Sequence, residues 1–361
     1  MKKSLLDRVP ADIRKILGAG SPVCLLNGRD VMRALAPEKI IVMGCNARIR
    51  HVIPGIMKAA EELDAVVAFE LTRTEGGVDG GYTGQTPATF FETVVEYAEQ
   101  CAFTRPFFIH GDHITVQNSS EAEFAAATEL LDAQLAAGFT SFAFDASFNP
   151  LTENIDIVSR LARPVMDAGY GLEVELGEVV HVGDESHITS VTEVSEFLSG
   201  LAAHGVHPDL LAIDNGSKSG NYLEGQMVKI DLARTLEIYE TAREFGVSGL
   251  VQHGITGTPL RITGKLADYG IRKGNVGTLW QNVAHAGLPV ELVDAMRGWS
   301  KETGRDIKHA TGVFKAEIDA IPEENRRQIA DMAYREAREF ITAFHAKGSA
   351  GRLVDNLTGR S

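Results

Sequence analysis

Polar residues able to do chemistry recur at intervals along this 361-residue chain, each at the end of a short apolar run. PFFIH leads into HGDH at 110–113, and TSFAFDA carries Asp145. LEVELG at 172–177 carries Glu173 and Glu175, with Glu178, His181, Asp184 and Glu185 in the stretch behind it. DLLAI leads into Asp214, Asn215, Gly216, Ser217, Lys218, Ser219 and Gly220. SGLVQ leads into HGITGT at 253–258, and GIRKG into NVGT at 275–278. Imidazoles and carboxylates brought from separate strand ends to one axis build an open metal site. Desolvated carboxylates there need a cation or other donors to compensate them. Glycines with threonine and serine after the last three runs suit a phosphate, because bare backbone N–H groups approach closely and hydroxyls add donors. Taken singly, each motif has a plainer reading. A histidine at a strand end is often a hydrogen-bonded structural residue. HGITGTP forms a turn, and the EVE alternation is also the mark of a strand with one polar face. The weight lies in their ordered arrival at successive strand ends.

The elements that must position these residues follow from the same runs. Eight segments read as strands: 39–47, 65–71, 106–110, 140–146, 172–177, 209–216, 248–254 and 270–277. Several are apolar nearly throughout, as expected of parallel strands buried on both faces. The stretches between them read as helices. SSEAEFAAATELLDAQLAAG opens on Ser119 or Ser120 as N-cap and stops at Gly138. Strand–helix alternation over 39–290 predicts an α/β (β/α)8 TIM barrel with active residues at the C-terminal strand ends. A doubly wound open sheet is the alternative, but the first turn, MGCNARIRH, has no GxGxxG. The chain reads as a single domain over 1–361. It comprises a helical N-terminal lead, a barrel over about 20–290 and a helical C-terminal extension over 291–361. The extension ends in a long amphipathic helix with Pro322 at its start and Gly348 as its stop.

Composition narrows the class. Hydrophobic residues make up 44% and charged residues 23%, which excludes low-complexity and disordered scaffolds. The net charge of −14 argues against nucleic acid or an anionic membrane as the main partner. A small phosphorylated substrate stays open, since a local pocket of donors binds an anion on an acidic protein. Cys24, Cys45 and Cys101 are widely spaced and form no CxxC, so a disulfide framework and a cysteine zinc site are excluded. Asp7, Arg8 and Pro10 interrupt any apolar core of a signal peptide. No apolar run approaches the roughly 20 residues of a membrane span. The expected location is the reducing cytoplasm.

In this order the motifs resemble those of the class II, metal-dependent ketose-bisphosphate aldolases, the fructose- and tagatose-bisphosphate aldolase family. That family reads HxDH, a strand-four aspartate, LExELG, GxxHGxY, HGGSG and NIDT. The corresponding stretches here are 110–113, Asp145, 172–177, 216–222, 253–257 and 275–278. The resemblance implies a lyase performing reversible aldol cleavage of a phosphorylated ketose through a metal-stabilised enediolate, with a dihydroxyacetone phosphate-type donor. It implies that Asp112 exchanges a proton with the aldol hydroxyl and that His113 and His253 are zinc ligands. Glu175 matches a carboxylate close to the metal, and Asp145 one near a secondary cation position. Gly220, Gly254, Thr256 and Thr278 match phosphate-binding positions, and Asn275 an asparagine touching the donor. Gly216, Lys218 and Ser219 join the substrate-binding group, while Glu70 and Asn46 stand in a secondary set with Asp145. Glu185 takes the place of a proton-transferring glutamate in a loop, GEVVHVGDES, that is longer than the family's. A homodimer or homotetramer is implied.

The departures are informative. The family's third zinc histidine falls at Ser219, a poor zinc ligand. Glu175 then becomes the expected third ligand, completing a His₂Glu set. An anionic ligand admits Mn²⁺ or Mg²⁺ as well as Zn²⁺. The NIDT aspartate falls at Gly277, and a strand-two serine near Glu70. A carboxylate at 70 is expected to repel a second phosphate, so fructose 1,6-bisphosphate is not the expected substrate. Glu70 or Arg73 would then recognise a hydroxyl, amine or acid at the acceptor end. Two other readings remain. Lys218 at the end of strand six suits a Schiff-base aldolase. Loss of one ligand also suits a sugar-phosphate-binding homologue without turnover, though retention of Asp112 argues for chemistry.

Overall fold

The computed structural model describes residues 3–177, 188–218 and 229–359. Its centre is a closed parallel barrel of eight strands in sequential order. The strands are β1 (Val42–Asn46), β2 (Val67–Thr72), β3 (Phe107–Thr115), β4 (Ser141–Asp145), β5 (Gly171–Leu176), β6 (Leu210–Ile213), β7 (Gly249–Gln252) and β8 (Ile271–Val276). Closure is made by β1, which pairs with β2 on one side and β8 on the other. Nearly every strand residue is buried, which is why the strands read as apolar runs rather than alternations. No helix among the described residues is long and apolar enough to cross a membrane.

Local signals set the helices around the barrel. Ser120 caps helix Glu121–Ala137 by accepting from the Glu123 N–H, and Gly138 ends it with φ 108. Ser190 and Glu193 form a reciprocal capping box on helix Val191–Ala203. The N-terminal lead closes the bottom of the barrel. There the Leu26 N–H donates to Phe107 O at 2.8 Å and the Gly28 N–H to Thr140 O at 3.1 Å. The C-terminal helices pack on the barrel's first helix. A Cβ on Gly55 in helix Ile53–Glu62 would stand 2.1 Å from Ala330 O in helix Glu323–Ala343, so glycine permits that approach.

Two boundaries differ from those expected. The last long helix ends at Ala343, not at Gly348, which instead begins helix Ser349–Thr358. His345 adopts φ 56, and Phe344 turns inward, its carbonyl accepting from the Ile41 N–H at 2.9 Å. Burying that ring beside Gly274 outweighs another turn of helix. The second difference is that HGDH lies within β3 rather than after it.

Candidate active site

The extra length of β3 explains how Asp112 and His113 serve one site. In a regular strand, neighbouring side chains point to opposite faces. Here the β3–β4 register shifts between Gly111 and Ile114, and His113 takes φ 44. A bulge of this kind re-aims a side chain, so both residues reach the barrel mouth. A positive φ at a non-glycine residue is strain held by its surroundings. Gly111 faces outward, where a Cβ would meet Gln134 Oε1 at 2.1 Å. Glycine at this position follows from helix packing.

At the mouth, His113 Nδ1 lies 2.8 Å from Glu175 Oε2 and 3.4 Å from Asp145 Oδ2. Its Nε2 lies 3.2 Å from His253 Nδ1. Ligand atoms of His113, Glu175 and His253 all fall within 4.8 Å of one another. His253 Nε2 is buried with no hydrogen-bond partner among the described residues. Two imidazoles and a carboxylate in this arrangement match the donor chemistry of an open divalent-metal site. Burial pushes His253 down to about 3, helped by the neighbouring His113. Burial pushes Glu175 up to about 7, helped by the carboxylate of Asp145. Burial alone would also lower His113, but Glu175 and Asp112 outweigh it and raise it well above the usual range.

Asp112 sits beside this trio. Its Oδ1 accepts from Asn275 Nδ2 and its Oδ2 from Asn46 Nδ2, each at 3.0 Å. Burial alone would raise its carboxyl. His113 and Lys273 overcome that and hold it well below the ordinary carboxylate range. An ionised, two-point-anchored carboxylate is equipped to take a proton from a substrate hydroxyl.

Two residues lower on the same strands lies a second cluster. Lys273 Nζ contacts Glu70 Oε1 at 2.8 Å and Glu173 Oε2 at 2.9 Å, with all three side chains closed to solvent. His110 Nε2 lies 3.4 Å from the same Glu173 oxygen, and its Nδ1 2.9 Å from Ser141 Oγ. Glu70 fills the space left by Gly44, whose Cβ would stand 2.5 Å from its carboxyl carbon. This corrects the expected role of Glu70. It is shut inside the barrel on a lysine and does not meet substrate. Arg73 is likewise committed, to Glu123 at 2.8 Å. The repulsion of a second phosphate by Glu70 therefore has no basis here.

A cavity of about 130 Å³ opens beside Asp112, His113 and His253 and brings Gly254, Thr256, Asn275 and Thr278 to its wall. Gly254 adopts φ +68, and a Cβ there would stand 2.3 Å from Lys218 O, so two loop backbones touch at this point. Thr256 Oγ1 accepts from the Leu279 N–H at 3.1 Å, joining its loop to the helix start at Thr278. Asn46 lines the cavity too, its amide on Asp112. Gly216 and Lys218 lie behind the wall rather than on it. Ser219, Gly220 and Glu185 lie outside the described residues.

The family described as class II fructose-bisphosphate aldolase matches residues 27–346 of this sequence. The chain belongs to that family. A fructose-bisphosphate aldolase of Staphylococcus epidermidis is 33% identical over 194 residues, 52% of this chain and 61% of the relative. The match thus spans less than two thirds of that relative. One from Giardia intestinalis is 26% identical over 267 residues, 73% of this chain and 75% of the relative. The crystal structure of the YdjI aldolase from Escherichia coli K12 shares the fold, with TM-score 0.63 and 20% identity. It covers 89% of this chain and 98% of its own. Class II aldolases are metal-dependent, in keeping with the His113, Glu175 and His253 cluster.

Sequence reasoning missed Arg48, Glu75 and Thr72, which also line the cavity, and Lys273 beneath it. Arg48 stands two residues after Asn46 in the turn MGCNARIRH, where no recognisable motif marks it. Lys273 carried a clear signal, since a lysine in a strand buried on both faces must be paired.

Proposed function

We propose that this chain catalyses reversible aldol cleavage and condensation of a phosphorylated ketose at the mouth of the barrel. The observation that carries this reading is the meeting of His113, Glu175 and His253 beside the doubly anchored carboxylate of Asp112. A divalent ion held by those three residues would supply Lewis-acid polarisation of the substrate's carbonyl and hydroxyl oxygens. In cleavage, Asp112 takes the proton of the aldol hydroxyl. The carbon–oxygen bond becomes an aldehyde as the carbon–carbon bond breaks, and its electron pair stays with the donor fragment. That fragment then needs a proton, for which Glu185 is the candidate acid on resemblance. In condensation Asp112 returns its proton to the new hydroxyl. Asn46 and Asn275 hold the carboxylate so that neither direction requires it to move.

We read the substrate as carrying a single gripped phosphate, with a dihydroxyacetone phosphate-type donor. Gly254, Thr256 and Thr278 supply the wall for it. Arg48 is the only lysine or arginine lining the described cavity, and residues 178–187 and 219–228 contain neither type. The ion is zinc in this reading, with Mn²⁺ or Mg²⁺ admitted by the oxygen ligand Glu175. The protein works as a homodimer or homotetramer in the cytoplasm.

The test is aldol condensation of dihydroxyacetone phosphate with a panel of aldehydes, before and after chelation, alongside elemental analysis of the purified protein. Turnover that stops on chelation and returns with a divalent ion supports the reading. Full activity after chelation, with borohydride trapping at Lys218, would replace it with a Schiff-base enzyme. Binding of sugar phosphates with no turnover of any pair would leave a non-catalytic homologue. Efficient cleavage of fructose 1,6-bisphosphate, near the roughly 10⁴ M⁻¹s⁻¹ floor of ordinary enzymes, would remove the single-phosphate part.

A further inference from the structure

Arg48 lies in the cavity with one edge clamped and the other unused. Its Nε contacts Glu75 Oε1 at 2.5 Å, and its side chain is only 14% exposed. Glu75 is itself fixed, since its Oε2 accepts from Asn46 Nδ2 at 3.2 Å and from the Thr72 N–H at 3.0 Å. The Tyr82 ring lies 6.0 Å from the Arg48 guanidinium carbon, and the Tyr82 hydroxyl donates to Glu75 Oε1, the oxygen that Arg48 contacts, at 3.4 Å. The guanidinium is therefore held in place before any ligand arrives. Its two terminal nitrogens have no hydrogen-bond partner among the described residues.

Gly277 shows where those nitrogens lie. A Cβ at 277 would stand 3.0 Å from Arg48 Nη2. Gly277 has φ −117, a value any residue adopts, so the missing side chain here serves space rather than backbone freedom. Gly277 directly precedes Thr278, and both line the cavity with Gly254 and Thr256. A planar fork with two free N–H edges matches two oxygens of a tetrahedral anion. Asp112 and Glu75 are the acidic residues on this wall, so an incoming dianion needs a fixed cation to offset them.

We propose that Arg48 is the specificity-determining residue of this cavity, its end accommodated beside Gly277 and its two terminal nitrogens gripping the substrate's phosphate. This deepens the aldolase reading and rests on it for the identity of the substrate, though not for the binding of the anion. Glu75 acts as a positioning residue that fixes the guanidinium.

Titration of the full-length protein with inorganic phosphate, by calorimetry at fixed ionic strength, tests the grip without turnover. Arg48→Met weakens phosphate binding by about 30-fold, the range of a charge-assisted pair, while Arg48→Lys recovers part of it. Gly277→Asp places a carboxylate against the guanidinium and weakens phosphate to a similar degree, with the Arg48–Glu75 pair left in place. That variant keeps the test decisive if Arg48→Met fails to fold. In the activity arm, the ratio of kcat/KM for dihydroxyacetone phosphate over dihydroxyacetone falls about 30-fold in Arg48→Met. Phosphate binding unchanged in both Arg48→Met and Gly277→Asp overturns the proposal. So does an equal fall for both donors, or a wild-type protein that binds no phosphate. A wild-type protein that binds phosphate through Arg48 yet condenses no aldehyde sustains the proposal and removes the aldolase reading instead.

Discussion

Two clusters of imidazole and carboxylate occupy neighbouring layers of the barrel interior, and each brings three possible metal donors within 4.8 Å. The upper one is His113, Glu175 and His253, and the lower one is His110, Asp112 and Glu173. The upper one offers two imidazoles and a carboxylate, the lower one imidazole and two carboxylates. What separates them is the compensation of their charge. In the lower layer Lys273 stands between Glu70 and Glu173 and, although burial opposes its charge, both carboxylates hold its ammonium protonated. Beneath Asp112, which lines the cavity, that layer is neutralised by the protein's own cation, and the side chains of Lys273, Glu70 and Glu173 are closed to solvent. In the upper layer no lysine or arginine of the described residues enters the cluster. Two imidazoles meet there, His113 Nε2 lying 3.2 Å from His253 Nδ1. Buried carboxylates need a cation in either layer. A covalently attached lysine makes a structural layer, whereas the upper layer presents the three donors of a candidate metal site.

The comparison breaks most visibly at Lys273. Lys273→Met removes the lysine that Glu70 and Glu173 share and leaves the two buried side chains facing each other. Urea unfolding of that variant shows a loss of about 3–5 kcal/mol, the usual result of unpairing a buried ion pair, and added divalent metal does not restore it. Asp112→Asn acts on chemistry instead. It keeps the shape between Asn46 and Asn275 but removes the base, so aldol cleavage falls by at least about a hundredfold while metal content by elemental analysis is unchanged. Glu175→Ala loses metal and activity together, with affinity for the ion at least about tenfold weaker in a chelator competition. Its unfolding midpoint in the absence of metal moves little, and this sets it apart from Lys273→Met.

Smaller effects sharpen the same contrast. Gly44→Ala drives a methyl group into the Glu70 carboxylate and costs about 1–3 kcal/mol of stability by thermal unfolding, with the upper cluster's metal content unaffected. Burial pushes Glu70 up to about 8, with Lys273 pulling the other way. The folded protein therefore keeps a proton on Glu70 that the unfolded chain releases near its ordinary 4.5. Stability from this group is present below that value and is lost as pH rises towards 8. Glu70→Gln cannot titrate, so its free energy of unfolding declines less between about pH 6 and pH 9, by roughly 3 kcal/mol.

The convergence of His113, Glu175 and His253 was legible because each residue closes an apolar run, and a barrel gathers strand ends on one axis. Glu175 was readable as a partner because a strand places 173 and 175 on one face. The same periodicity was blind to the difference between them. Glu173 is taken by Lys273 and Glu175 by His113, and the lysine lies on the far strand of the closing pair. Glu70 was misread for the same reason. Its polarity was visible, but the lysine that silences it was 203 residues away.

By itself the sequence determined the alternation of eight buried strands with capped helices, because apolar runs, N-cap serines and stop glycines act over a few residues. It also determined which residue types reach the mouth. Only the tertiary structure decided how they are used. A register shift turned Asp112 and His113 to the same side against the alternation of the strand. Closure of β8 onto β1 set Lys273 beside Glu70, and the open space at Gly277 received the end of Arg48. Charge compensation is long-ranged along the chain and short-ranged in space, so it becomes readable only once the barrel has closed.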